Sequence, residues 1–293
     1  MKKKKIKLGD LTIDVFVYAA LIAITVVMLY PVWYVLMASV STSSEVARSG
    51  GILLWPKKFV AGAYKMVFEN GRLMKGFRNS ILILVISLPI NILLTLITGY
   101  FMASTNVMWQ KPIILMMMFT MYFSGGMIPG YLNIRDLGLL NTIWSLILPG
   151  AVSVYRCIIC RKAIEAVPAS LQESAFIDGA NDFQVIWIVL VPLIKPTLAV
   201  LLLYYGVGHW NSWFQASIYL RDDTWVPISN VLRSMLILNT ELSAGVTGGD
   251  DYDTYAETIK YAAIVISTFP IMCIYPFLQK YFAKGTMTGA VKG

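Results

Sequence analysis

Of the 293 residues, 57% are hydrophobic and only 14% are charged, and the mean hydropathy is +0.67. A soluble domain carries about a quarter charged residues, so this composition excludes an ordinary soluble domain and implies a polytopic membrane protein. The formal charge of +8 does not point to nucleic acid, because the basic residues sit beside apolar runs rather than along an aromatic-interleaved groove.

The chain opens on a basic cluster, Lys2 to Lys5 and Lys7, which by the positive-inside tendency places this end in the cytoplasm. The apolar run that follows is long enough to span and lacks a small-residue cleavage pattern, so no cleavable signal is expected. Val15 to Met37 is the first predicted span and contains Pro31. Residues 39–79 form a mixed extracytoplasmic segment with Trp55-Pro56-Lys57 and the amphipathic run Tyr64 to Phe68. Its basic residues Arg48, Lys57, Lys58, Lys65, Arg72, Lys75 and Arg78 outnumber Glu45 and Glu69, against the charge rule; long segments obey that rule less strictly.

Ile81 to Ala103 is the second span, with Asn91 a polar residue in its middle that should face protein or a cavity. Pro112 to Phe123 starts a Met-rich third span, which Ser124-Gly125-Gly126-Met127-Ile128-Pro129 breaks or bends before an outer connection from Tyr131 to Asn141. Ile143 to Cys160 is the fourth span, broken near Pro149-Gly150, with Arg156, Arg161 and Lys162 at its cytoplasmic end. Leu193 to Phe214 is the fifth, residues 216–257 a second long outer segment with a Gly- and Asp-rich tip, and Ile259 to Leu278 the sixth. The expected fold is all-α: one transmembrane domain over 1–293, six spans, and both ends cytoplasmic, with a basic tail at 280–293.

Between the fourth and fifth spans, in the stretch Glu165 to Pro196, lies a polar helical hairpin whose bounds are 164–192. Pro168 and Ser170 suit a helix start. Gly179 sits where a helix must end or turn, flanked by the turn residues Asp178 and Asn181. Taken alone, it is equally a solvated loop.

Chemistry is sparse. No phosphate-binding loop of the Gly-x-x-x-x-Gly-Lys-Ser/Thr type occurs, so the chain should not hydrolyse nucleotide. His209 is the single histidine and would have to serve every nucleophilic scheme. The predicted spans carry no embedded acid, which argues against an ion-driven carrier. Cys157 and Cys160 have redox or metal spacing, but in an apolar helix without a second pair they read as packing residues, and no metal is expected. The Asp run near 250 lacks the bidentate Glu of a calcium loop. Tyr204, Trp210, Asn211 and Trp213 combine ring faces with amide hydrogen bonding, as sugar recognition requires, or else belong to an interfacial aromatic belt.

The hairpin resembles the Glu-Ala-Ala coupling motif of the membrane subunits of bacterial ABC importers. Glu173-Ser174-Ala175 precedes Asp178-Gly179-Ala180, and Val191-Pro192 closes it; Ser174 replaces the usual Ala. Lys57-Lys58-Phe59 through Tyr64, Asn79-Ser80, Trp210-Asn211 and the tail Gln279-Lys280-Tyr281-Phe282 with Gly289-Ala290-Val291-Lys292-Gly293 are similar to carbohydrate permeases of the maltose-type G subunit. Phe123-Ser124-Gly125-Gly126 to Leu139-Leu140-Asn141-Thr142 resembles a subgroup associated with oligosaccharides and polysaccharide fragments.

That resemblance implies a type I ABC importer permease in the bacterial cytoplasmic membrane. It implies a second, non-identical permease, two ATPase subunits that bind ATP and Mg, an extracytoplasmic solute-binding protein and a carbohydrate cargo. The chain itself would bind no cofactor and catalyse no reaction. Glu173, Ser174, Ala175, Asp178, Gly179, Ala180 and Pro192 would couple to the ATPases. Gly289, Ala290, Val291, Lys292 and Gly293 would reach between them. Gly248, Gly249, Asp250, Asp251 and Tyr252 occupy the place of a loop that enters the binding protein, though their composition equally fits disorder. Asn91, Tyr204, Trp210, Asn211 and Trp213 would line the substrate path. An ion-coupled carrier, an ABC permease for a non-sugar solute and a poreless membrane scaffold are the alternatives.

Overall fold

The computed structural model describes residues 8–105, 107–238, 257–274 and 276; the described residues are helical, with no strand among them. They group into two compact units, Met1–Gly71 with Met235–Ser267, and Arg72–Ser234 with Thr268–Gly293.

In the first unit, α1 (Leu8–Ser39) is apolar on all sides and continues through Pro31. Its outward Val, Ile and Leu side chains are exposed, as expected of a helix whose solvent is lipid. Its C-terminal turns meet α2 (Ser43–Arg48) and the loop after it. Tyr30 Oη donates to the Gly51 carbonyl at 2.8 Å and accepts from Leu53 N at 3.1 Å, and Trp33 Nε1 donates to the Leu54 carbonyl at 2.8 Å. Glu45 accepts from Lys57 N at 2.6 Å. The amphipathic run forms α3 (Gly62–Glu69), tied back by Tyr64 and Ser39 hydroxyls 2.8 Å apart. The last described helix, α14 (Glu257–Ile274), belongs to this unit as far as Ser267 and contributes Tyr261 to the small core of Ala38, Val46 and Leu53.

The second unit is built on α4 (Gly71–Ala103), 33 residues long, which starts ten residues before the predicted span. Its buried side mixes the apolar Leu73, Ile83, Leu96 and Met102 with small and polar residues, Gly76, Asn79, Ser80, Ser87, Asn91, Thr95 and Gly99, at helical spacing. Lipid already satisfies the apolar side, so hydrogen bonds and close backbone approach are what hold the helices together. Successive buried positions meet successive parts of the chain. Asn79 Nδ2 donates to the Thr224 and Val226 carbonyls, and Ser80 Oγ accepts from Ile228 N at 2.9 Å. Asn91 Nδ2 donates to the Gly150 carbonyl at 3.1 Å, and the Thr95 and Tyr205 hydroxyls lie 2.7 Å apart.

The remaining helices follow in order. α5 (Gln110–Tyr122) and α6 (Met127–Asp136) meet at 116°. The expected break at Gly125-Gly126 is therefore a sharp reversal, and the expected connection from Tyr131 is helical as far as Asp136. The fourth segment is split into α7 (Trp144–Ile147), a 3₁₀ turn at Leu148–Gly150, and α8 (Val154–Glu165). α9 (Ala169–Ile177), α10 (Asp182–Leu193) and α11 (Lys195–Trp210) come next, the last two at 90°. The predicted fifth span to Phe214 stops at Trp210 and restarts as α12 (Trp213–Tyr219), and α13 (Ile228–Ile237) lies in the stretch expected to be a loop. By length and apolarity, α1, α4 and α14 can cross a membrane among the described residues, and counting each bent pair as one crossing raises the number to five. The split fourth segment separates this count from the six expected.

Asn141 adopts a left-handed backbone, φ 62°, and clamps the chain after α12. Its N–H donates to the Tyr219 carbonyl, its Oδ1 accepts from Arg221 N and Asp222 N, and its Nδ2 donates to Asp222 Oδ2 at 2.6 Å. The Asn141 amide, followed by the Thr224 N–H and hydroxyl, holds the Asp222 carboxyl below its usual range. This clamp is at full strength above the ordinary carboxylate pKa and weakens as pH falls through the lowered folded value. Asn141→Ala loses the side-chain bonds and strains the backbone. It should lower the thermal unfolding midpoint in detergent, with a cost of about 1–2 kcal/mol. An unchanged midpoint would remove the clamp from the list of stabilising contacts.

Candidate functional site

The polar stretch 164–192 folds as a hairpin of α9 and the start of α10. Pro168 precedes α9, as its fixed φ favours. α9 ends at Asp178, and Gly179, at φ +84°, reverses the chain. The reversal is closed by Gly179 N donating to the Phe176 carbonyl at 3.0 Å and Ala180 N donating to the Ala175 carbonyl at 2.9 Å. α10 then starts with a reciprocal cap: Asn181 Oδ1 accepts from Gln184 N and Gln184 Oε1 accepts from Asn181 N, both at 2.9 Å. This turn and cap arise entirely from local residue types.

The hairpin stands on a packed base. Val185, Ile186, Leu190 and Ile194 are buried with Leu96 of α4, Cys160 and Ile164 of α8, and Leu198 and Leu201 of α11; Ala175 and Ala180 pack partly against the same cluster. Burying each such side chain contributes about 1.5–3 kcal/mol, so α10 cannot separate from α8 and α11 in thermal motion. Tyr100 Oη adds a hydrogen bond to Asp182 Oδ1 at 2.7 Å. α10 is wound as a π-helix over Val185–Leu190, a geometry often kept where a helix must serve more than packing.

Beyond this base the tip of the hairpin is exposed among the described residues. Glu173, Ser174, Asp178 and Gly179 are exposed. So are the apolar Phe176, Ile177 (85%) and Phe183 (64%). Pro192 is exposed at the C-terminal end of α10. Ala175 and Ala180, grouped with them by sequence, instead face the base. At the foot of the hairpin Glu165 accepts from Lys162 Nζ at 2.8 Å and Arg161 Nε at 2.6 Å. The Lys162 hydrogen bond chiefly, and the Arg161 guanidinium after it, hold the Glu165 carboxyl below its ordinary range. Beside it Tyr100, Ser104, Val167 and Gln172 line a cavity of about 230 Å³.

The residues grouped as a substrate path separate. Asn91 is fully buried and bonded to Gly150, a joint between α4 and the split fourth segment. Trp210 is 5% exposed and packs edge-on to Phe77. Asn211 Nδ2 bonds the Val207 carbonyl of its own helix. Trp213 stays partly exposed under the Arg233 guanidinium, 4.4 Å from its ring centroid. Tyr204 is 43% exposed, whereas its neighbour Tyr205 is buried on Thr95. Sequence reasoning missed Arg156. Rather than marking a helix end, its guanidinium lies 4.0 Å over the Tyr205 ring, and its Nη2 donates to the Tyr204 carbonyl at 3.1 Å. Cys157 and Cys160 are buried, and Cys160 packs against Gly99. Gly248, Gly249, Asp250, Asp251 and Tyr252, expected to enter the binding protein, and Gly289 to Gly293, expected to reach between the ATPases, lie outside the described residues.

A family model described as "Binding-protein-dependent transport system inner membrane component" matches residues 59–288. The chain is similar to the polygalacturonan/rhamnogalacturonan transport system permease protein YtcP of Bacillus subtilis, with 35% identity over 281 residues, covering 96% of this chain and 98% of that protein. It is also similar to the protein LplC of the same organism, with 40% identity over 266 residues, covering 90% and 89% respectively. Among solved structures it resembles a chain from a bacterial ABC transporter involved in the import of the acidic polysaccharide alginate, with a TM-score of 0.87 and 28% identity, covering 96% of this chain and 100% of that one.

Proposed function

Because this chain belongs to the family of binding-protein-dependent transport system inner membrane components, and is thus a transport subunit rather than an enzyme, we propose that it carries fragments of an acidic polysaccharide. The transported substances named for YtcP and for the alginate importer support that cargo class. The working complex, in this reading, pairs the chain with a second permease, two ATPase subunits that hold ATP and Mg, and an extracytoplasmic binding protein. It sits in the bacterial cytoplasmic membrane, with the hairpin and both termini on the cytoplasmic side, and 1–293 acts as one permease domain.

The observation that carries the reading is the exposed apolar tip of the hairpin on its rigid base. Phe176, Ile177 and Phe183 are large apolar side chains exposed among the described residues in a polar segment, which is the signature of a docking surface. Glu173 and Asp178 beside them supply charge for a basic partner. A protein cleft on the ATPase would cover these side chains. Closure of the ATPase pair on ATP would then move the hairpin, and the α8 and α11 ends packed on its base, as one body.

Proteoliposomes containing the whole complex test this. Uptake of radiolabelled oligosaccharide should require internal ATP and the binding protein and be indifferent to ion gradients. Ile177→Asp should weaken co-purification of the ATPase about tenfold or more, since a buried unpaired carboxylate costs at least that much. ATP-independent uptake, or full ATPase retention by Ile177→Asp, would overturn the reading.

A further inference from the structure

Arg156 is an arginine where a membrane protein seldom puts one. It lies nine residues before Glu165 on α8, about 13 Å along the helix axis. It packs on Tyr205, five residues from the end of α11. Tyr205 is in turn bonded to Thr95, within the apolar stretch of α4. An ionised side chain at such a position faces protein or an aqueous cavity rather than lipid, and by default marks the path of a solute.

Its surroundings keep it in place without neutralising it. The Tyr205 ring holds one face of the guanidinium, and one N–H donates to the Tyr204 carbonyl. A guanidinium has five N–H donors, and no carboxylate pairs with it among the described residues. Gly208 brings α11 against it: a Cβ there would be in ordinary contact, 3.6 Å from Nη2. Tyr204 next to it presents a partly exposed ring. The result is a fixed positive fork beside an aromatic face, which is the recognition chemistry of a sugar carrying a carboxylate.

We propose that Arg156 reads the charge of the cargo, contacting uronate carboxylates of the glycan as they pass. The inference rests on the acidic-glycan reading above. A carboxylate of the paired permease is the competing occupant. The glycan is favoured because the Tyr204 ring beside the guanidinium is 43% exposed, an apolar face that a sugar ring stacks on and a lone carboxylate does not use.

The test uses the complete complex in proteoliposomes, with trigalacturonate and its trimethyl ester as probes. Arg156→Gln should lower trigalacturonate uptake about tenfold, the worth of a charge-assisted hydrogen bond. It should leave uptake of the ester unaltered, and Arg156→Lys, which keeps the charge but not the fork, should recover part of the lost rate. If the binding protein refuses the ester, the contrast between Lys and Gln decides. Equal loss for both probes, loss of the paired permease on purification, or full trigalacturonate uptake by Arg156→Gln would overturn the inference alone. A wild-type complex that takes up neither probe would overturn the acidic-cargo reading, and this inference with it.

Discussion

Gly179→Pro should abolish ATP-driven uptake while leaving the chain in the membrane. The native backbone at 179 has φ +84°, a region closed to proline, whose ring holds φ near −65°. The substitution also removes the N–H that donates to the Phe176 carbonyl. The combined cost is about 3 kcal/mol or more, enough to rebuild the turn. A rebuilt turn re-aims Phe176, Ile177 and Asp178 relative to the Asn181 cap, so the docking surface proposed for the hairpin disappears. Steric crowding is not the cause: a Cβ on residue 179 would meet nothing within 4 Å. Gly179→Asn, which tolerates the left-handed region, should therefore retain most uptake, and Gly179→Ala should fall between the two. Uptake, ATP hydrolysis and membrane content measured on the same three variants separate coupling from insertion. Normal transport by Gly179→Pro would end the coupling role assigned to this turn.

The hairpin was readable from sequence because its determinants are local. Gly179 and Pro168 act through backbone geometry within a few residues, and the structure places the turn where they predict; Ser170, expected to cap α9, makes no cap hydrogen bond, and Asn181, read as a turn residue, caps α10 instead. The long helices were readable from apolarity, but not which side of each faces inward. On α4 the inward side is marked by Gly, Ser, Thr and Asn, residues mild enough in hydropathy that only Asn91 stands out in the sequence. The aromatic residues near the end of α11 illustrate the same limit. Tyr204 and Tyr205 are adjacent and chemically identical, yet one is exposed and the other buried, a matter of helix register that residue type does not encode. Arg156 was placed at a cytoplasmic helix end because the positive-inside tendency counts charges without seeing what they touch. Its true setting depends on Tyr205, 49 residues away in the chain. The fourth segment was expected to break near Pro149-Gly150, and it does. How far the break separates α7 from α8 follows from Asn91 holding the Gly150 carbonyl, a tertiary contact.

A second large effect is expected at Gly99, where α4 and α8 come closest. A Cβ on residue 99 would lie 2.9 Å from both Cβ and Sγ of Cys160 and 3.3 Å from Arg161 N. Rotating the thiol away clears only Sγ; Cys160 Cβ and the Arg161 amide belong to α8 itself, so the helix must shift. Overpacking of this kind costs about 1–3 kcal/mol, against the gain of about 1 kcal/mol that Gly→Ala ordinarily brings in a helix interior. Gly99→Ala should therefore destabilise, and Gly99→Leu more so. Gly206→Ala supplies the contrast: its nearest neighbour would be Leu88 Cδ2 at 4.0 Å, so there the propensity term wins and stability should hold or rise. The opposite signs at two glycines of spanning helices are the diagnostic, read as thermal midpoints of the detergent-solubilised chain. Cys160→Gly removes the clashing Cβ, so the double variant Gly99→Ala with Cys160→Gly should lose less than the sum of the two single changes. Strict additivity would show that the two helices do not meet here. The functional cost follows from position, because Cys160 and Ile164 of α8 share a core with Val185, Ile186 and Leu190 under the hairpin. Pushing α8 off α4 loosens the base on which Gly179 turns and moves Arg156 off Tyr205. Gly99→Leu should accordingly lose uptake even in the fraction that still folds.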